Sequence, residues 1–172
     1  MDNKKRIMFI LEDDYYFITI KLLSILKALE CEKKPFADYR KLGLIFEFIK
    51  NGNNLCLFYR LINESSLDFF DTEKAVKIFC DSRLDIAVIK RVLFFLEKQQ
   101  IVELQKNIKT GNIDVLLLKD DIINELLAQD VLKEDFQRAY ELKKAIRGLR
   151  NLKLETLQTK TFGYSEVTKW GN

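Results

Sequence analysis

The stretch from Ser82 to Lys119 restricts the fold more than any other part of the chain. Ser82-Arg83-Leu84-Asp85 has the chemistry of a helix start, with Ser82 as N-cap and Asp85 bringing a carboxylate to the free amides of the first turn. Ile86, Ile89, Val92, Leu93 and Leu96 then recur at helical spacing and share one face, which must pack on something. The polar run Glu97-Lys98-Gln99-Gln100 ends the helix. Two apolar runs follow, Ile101-Val102-Glu103-Leu104 and Ile113 to Leu118, with a turn around Lys109-Thr110-Gly111-Asn112 between them. A helix is therefore expected to feed straight into a β-hairpin.

Upstream, Asp71 or Thr72 can cap a helix over Glu73 to Phe79, whose Ala75, Val76 and Phe79 face a core, and Asp81-Ser82 turns the chain into the next helix. Helix, short turn, longer helix and hairpin form the order of a winged helix-turn-helix. The Leu96-Glu97-Lys98 ending, the Ile101-Val102-Glu103 entry and the Gly-containing turn resemble the third helix and wing of many winged-helix proteins. Fold alone does not make a DNA-binding protein, because function resides in a site.

The rest of the chain reads as helices. Phe17, Ile18, Leu22, Ile25, Leu26 and Leu29 follow a helical stripe, with Asp13-Asp14 as a capping pair and Pro35 as a break. Met8 to Leu11 is too short to classify. Leu42, Ile45, Phe46 and Ile49 mark a second helix stopped by Asn51-Gly52-Asn53-Asn54, and Leu55 to Ile62 a shorter one. Ile122, Ile123, Leu126 and Leu127 follow Asp120-Asp121 as a short amphipathic helix. After Asp130, the stripe Leu132, Phe136, Ala139, Leu142, Ile146, Leu149 predicts a helix of about five turns, weakened near its end by Gly148. The expected architecture is mainly α with a small β-hairpin wing: an N-terminal helical segment at 1-39, a winged-helix domain at 40-119, and a C-terminal helical subdomain and tail at 120-172.

Composition narrows the class. Hydrophobic residues make up 48%, with Gly 6 and Pro 1, so a packed core is expected and linker-rich disorder is not. Lys+Arg 29 against Asp+Glu 26 is a mild bias that neither requires nor excludes nucleic acid. The three cysteines, Cys31, Cys56 and Cys80, are widely spaced and there is no histidine, so buried thiols in a reducing compartment are the simplest reading. No apolar run reaches membrane-spanning length and no leader-like segment opens the chain, which points to the cytoplasm and to no membrane partner.

Beyond the winged helix, the order of an apolar N-terminal helix, the segment Lys34-Pro35-Phe36-Ala37-Asp38-Tyr39-Arg40-Lys41-Leu42, a long helix after Asp130, and an end with Gly163 and Val167-Thr168-Lys169-Trp170 resembles the middle component of bacterial ABC-type three-component defence systems, the Lamassu-like group. The resemblance covers most of the length through diffuse motifs. It implies a non-enzymatic accessory subunit that works with an SMC-like or ABC-type ATPase and an effector such as a nuclease to sense foreign DNA. Asp38, Arg40, Lys41, Val167, Thr168 and Trp170 match the pattern, and none is a catalytic match.

Chemistry in the residues themselves is sparse. Without histidine an acyl-transfer triad would need unusual members, and no Gly-rich loop followed by Lys-Ser/Thr favours ATP hydrolysis, so neither enzyme activity nor a cofactor is expected. Asp13-Asp14 and Asp120-Asp121 are carboxylate pairs of the kind that bind divalent metal, yet helix capping explains them more economically, and no metal is expected. Lys90 and Arg91 on the third helix and Lys106 and Lys109 on the wing are candidates for DNA contact, against a plain solvated surface diluted by Glu97 and Glu103. Lys143, Lys144, Arg147, Arg150 and Lys153 form a second basic set. On successive turns of one helix several would share a face toward DNA phosphates, an acidic protein or water; residues 141-172 hold seven Lys or Arg against three Glu. Tyr15, Tyr16, Phe69, Phe70 and Trp170 are candidate protein-interface aromatics. Two functions compete: an adaptor between ATPase and effector, and an autonomous winged-helix transcriptional regulator.

Overall fold

The computed structural model describes residues 3–63, 66–118, 121–128, 130 and 133–163. Among them the elements run α1 (Asn3–Ala28), α2 (Lys41–Ile49), α3 (Gly52–Ile62), α4 (Phe69–Lys98), β1 (Val102–Lys106), β2 (Ile113–Leu117), α5 (Asp121–Ala128), α6 (Lys133–Ala145) and α7 (Leu154–Phe162). The fold is mainly helical with one small antiparallel hairpin, as the periodicity predicts. No helix among the described residues is long and apolar enough to cross a membrane.

The core is built around α2, in which every residue from Lys41 to Ile49 is buried. Its main neighbour is α4. The two backbones approach so closely that a Cβ on Gly43 would lie 2.4 Å from the carbonyl oxygen of Ser82. Glycine at that point is what allows the crossing, because any larger residue must separate the helices. On the other side of α2, Phe48 contacts Phe58 of α3 at 5.0 Å between ring centroids and Phe162 of α7 at 6.0 Å, and Phe79 of α4 meets Phe162 edge-on at 5.5 Å. Helix α1 packs mainly on α6, where the buried Lys21 ammonium pairs with Asp135.

The Ser82 crossing also corrects the expected helix-turn-helix. No turn interrupts 79–83; α4 is one helix of 30 residues. Its N-cap is Asp68, whose carboxylate accepts from Asp71 N at 2.7 Å, instead of Asp71 or Thr72. Ser82 is buried mid-helix and donates its hydroxyl to the Phe79 carbonyl at 2.7 Å. A small polar residue serves there as a packing residue beneath Gly43, where the local sequence reads as a cap.

Gln100, at φ 55, and the bonds Gln100 N to Glu97 O and Ile101 N to Leu96 O close the end of α4 and turn the chain into β1. The strands pair in the register Val102↔Leu117 to Lys106↔Ile113, and Gly111 takes φ 73 in the intervening turn, as the hairpin reading requires. The connection from α1 to α2 lies along β2: Phe36 and Val115 exchange backbone hydrogen bonds of 2.7 and 2.9 Å, and Tyr39 N donates to Ile113 O at 2.9 Å. This covers the outer edge of β2.

Three further expectations change. Met8 to Leu11 belongs to α1, and Asp13-Asp14 lies inside that helix instead of capping it. The long helix after Asp130 stops at Ala145, because Gly148 adopts φ 75 and the chain turns through 146–152; Ile146 and Leu149 stay buried without helical continuity. Helix α7, which the sequence pattern did not reveal, then completes the aromatic core through Phe162. Of the three thiols only Cys31 is buried, and burial pushes it up to about 12; Cys56 and Cys80 are exposed, which corrects the uniform buried-thiol reading.

Candidate functional site

The surface least explained by the fold lies where α1 runs beside the C-terminal half of α4. Once Ile89, Val92, Leu93 and Leu96 turn toward α2 and the hairpin, helical geometry sends Leu84, Phe94 and Phe95 outward. From α1, Tyr15, Tyr16 and Phe17 emerge along the face of α4 that carries Asp85, Val88, Arg91 and Phe95; Tyr16 is 64% and Phe95 58% exposed. Two adjoining depressions result. One, of about 470 Å³, is lined by Tyr15, Tyr16, Thr19, Arg91, Val92 and Phe95. The other, of about 480 Å³, is lined by Tyr15, Phe17, Ile18, Phe46, Lys50, Asp85, Val88 and Arg91.

Tyr15 and Arg91 belong to both walls, so the depressions form one groove with a guanidinium at its middle. The charges around Arg91 are already engaged. Lys50 donates to the buried Glu47 carboxylate at 2.8 Å; burial opposes its charge, but Glu47 together with Asp85 and Asp81 holds it above its usual value. Asp85 is pushed up to about 6 by burial first, then by its hydrogen bond to Glu47 and the nearby negative charge. Its Oδ2 is buried and has no hydrogen-bond partner among the described residues. Arg91 itself has no hydrogen-bond or ion-pair partner among the described residues, and it is exposed.

The sequence-derived candidates fall in several places. Arg91, Tyr15 and Tyr16 meet in the groove, and Lys90 stands outside it with its ammonium 5.7 Å from the Phe94 ring. Lys106 and Lys109 are exposed on the hairpin, where Asn107 organises the turn by accepting from Lys109 N at 3.1 Å and donating to Asp114 at 3.0 Å. Phe69 and Phe70, each 77% exposed, stack edge-to-face at the far end of α4. Trp170 lies outside the described residues.

The second basic set does not share a helix face. Only Lys143 and Lys144 are in α6; Lys143 pairs with Glu30 at 3.3 Å, and Lys144 sits 4.5 Å from the Tyr140 ring. Arg147 is exposed in the turn. Arg150 reaches back to the carbonyls of Leu29 and Glu30 at 3.3 and 3.2 Å, a structural clasp, and Lys153 precedes α7.

Asp38, Arg40 and Lys41 likewise serve the fold. Asp38, at φ 60 and buried, donates its amide to Asp114 at 2.9 Å and receives the Arg40 guanidinium at 2.9 and 2.7 Å; Arg40 also reaches Asn112 at 3.0 Å. Lys41 extends through the core to the carbonyls of Leu149 and Arg150 at 3.0 and 2.8 Å, and burial draws it down to about 8. Together they tie the hairpin turn, α2 and the segment after α6. Val167 and Thr168, the other pattern positions, lie outside the described residues. Among the described residues no three carboxylate or thiol groups gather as a metal site.

Comparison with known proteins finds no matching family model, no matching curated protein and no matching solved structure.

Proposed function

We propose that this chain is a non-catalytic assembly subunit: a winged-helix-like body formed by α2, α3, α4 and the hairpin, joining an SMC-like or ABC-type ATPase to an effector such as a nuclease in a DNA-sensing defence complex inside the cell. The observation that carries the assembly reading is the exposed aromatic groove of α1 and α4, since aromatic side chains around a desolvated centre are the usual energetic core of protein interfaces. The identity of the partners rests on the resemblance of the Lys34–Leu42 segment and of the overall order of elements. Non-specific DNA contact through Lys90, Lys106 and Lys109 is a subsidiary part of the proposal, favoured by their exposure on adjoining elements.

The same exposed lysines favour the second reading, an autonomous winged-helix transcriptional regulator. Affinity purification of the tagged chain from its native cell, with nuclease treatment, separates the two. Stoichiometric recovery of an ATPase and an effector is the expected result. Recovery of the chain alone, with sequence-selective DNA retained in an untreated parallel sample, overturns the assembly reading in favour of the regulator.

A further inference from the structure

We infer that the α1–α4 groove seats an amphipathic helix of a partner protein, whose single central carboxylate meets Arg91 while apolar side chains fill the depressions on either side. The inference rests on the assembly reading and specifies the chemistry of the partner.

Three observations select this occupant. The first is length: from Asp85 to Phe95 the α4 wall rises about 15 Å, close to three helical turns, long enough for apolar anchors at i, i+3 or i+4, and i+7. The second is charge. Arg91 lies between two predominantly apolar depressions without an anionic partner among the described residues, and a guanidinium in such surroundings favours a carboxylate held by both of its N–H edges. The third is what the groove lacks for other ligands. A nucleic-acid backbone needs a succession of cations, whereas Lys50, the other cation lining the groove, is engaged by Glu47. A peptide added as a β-strand needs an open sheet edge, and here β2 is covered by the Phe36 segment while Leu104 N of β1 already donates to Glu97 at 3.0 Å.

The test is selection of 15-residue peptides from a displayed, helix-favouring library on the full-length chain, followed by fluorescence anisotropy of labelled winners. Winners should repeat apolar residues at helical spacing around one Asp or Glu. They should bind Arg91→Glu at least tenfold more weakly, and peptides with that acid changed to Lys should recover at least part of the loss on Arg91→Glu. Phe95→Asp should abolish binding, and circular dichroism of both variants should match the parent, since both side chains are exposed. Winners without helical spacing, winners indifferent to Arg91→Glu, or no enrichment over the starting library would each overturn the inference. So would displacement of the peptide by a 15-nucleotide single strand that binds more tightly and loses its hold on Arg91→Glu; that outcome makes the groove a nucleic-acid site. If Arg91→Glu still recovers ATPase and effector from cells, the groove inference fails while the assembly reading stands.

Discussion

Helices α2 and α4 are both rich in large apolar residues, but they use them in opposite ways. Every residue of α2 is enclosed, including Lys41 and Glu47, whereas α4 buries one stripe and presents Phe69, Phe70, Leu84, Phe94 and Phe95 to the outside. Hydrophobic content alone therefore does not tell the core from the interaction surface; the number of neighbouring elements does. α2 is surrounded by α1, α3, α4 and α6, while α4 has α2, β1 and a lighter contact with α1 along its buried stripe and little along its outer face. Substitutions in α2 should therefore act on stability, and those on the outer face of α4 on association.

The strongest way to break that contrast is Phe48→Ala. Removing a ring that meets both Phe58 and Phe162 should cost about 4 kcal/mol, read as a lower urea midpoint with little change in slope. A loss below about 1 kcal/mol would mean that α2 is not the centre of the core. Next comes Gly43→Ala, whose methyl must push on the Ser82 carbonyl backbone; a loss of about 2 kcal/mol is expected from chemical denaturation. Neutrality would show that the two helices do not cross so closely in solution.

A subtler effect should come from Asp85→Asn. Asp85 titrates at a higher pH in the folded chain than in the unfolded one, so its contribution to stability is fully present below about pH 4 and is lost as pH rises through about 6. Asparagine supplies a permanent donor to Glu47. The variant should be more stable than the parent above pH 7, by about 1 kcal/mol after allowing for solvent screening of this half-exposed group, and the advantage should fade toward pH 4. Thermal melts at pH 5 and pH 8 that show a pH-independent difference would refute this. The smallest effect is expected for Phe95→Ser, a change within about 0.5 kcal/mol in the same melts, because the ring it removes is mostly solvated. A large destabilisation would place Phe95 in the core and remove the contrast between the two helices.

Much of this was legible in the residues themselves. Ile89, Val92, Leu93 and Leu96 fall at helical spacing and all are buried, and Gly111 supplies the left-handed residue the hairpin turn needs. Local periodicity is sufficient where each element contains its own start and stop. It failed at Ser82, because a serine that caps a helix and a serine that allows two helices to touch look alike until Gly43 is known to lie above it. It failed again after α6, where buried Ile146 and Leu149 continue the apolar spacing although Gly148 has ended the helix, and at α7, whose Lys153 N-cap makes no side-chain capping bond that the sequence would advertise. The groove was legible only in fragments. Tyr15, Tyr16 and Arg91 each stand out by type, but their convergence depends on α1 lying beside α4, a long-range pairing that no local pattern encodes.

The unbroken course of α4 has a mechanical consequence. A helix with no turn, proline or glycine inside it is a stiff rod, and this one separates the exposed Phe69-Phe70 pair from Phe95 by roughly 40 Å. Two bodies gripping its opposite ends would be held at a fixed span, and torque applied at one would reach the other without a hinge to absorb it.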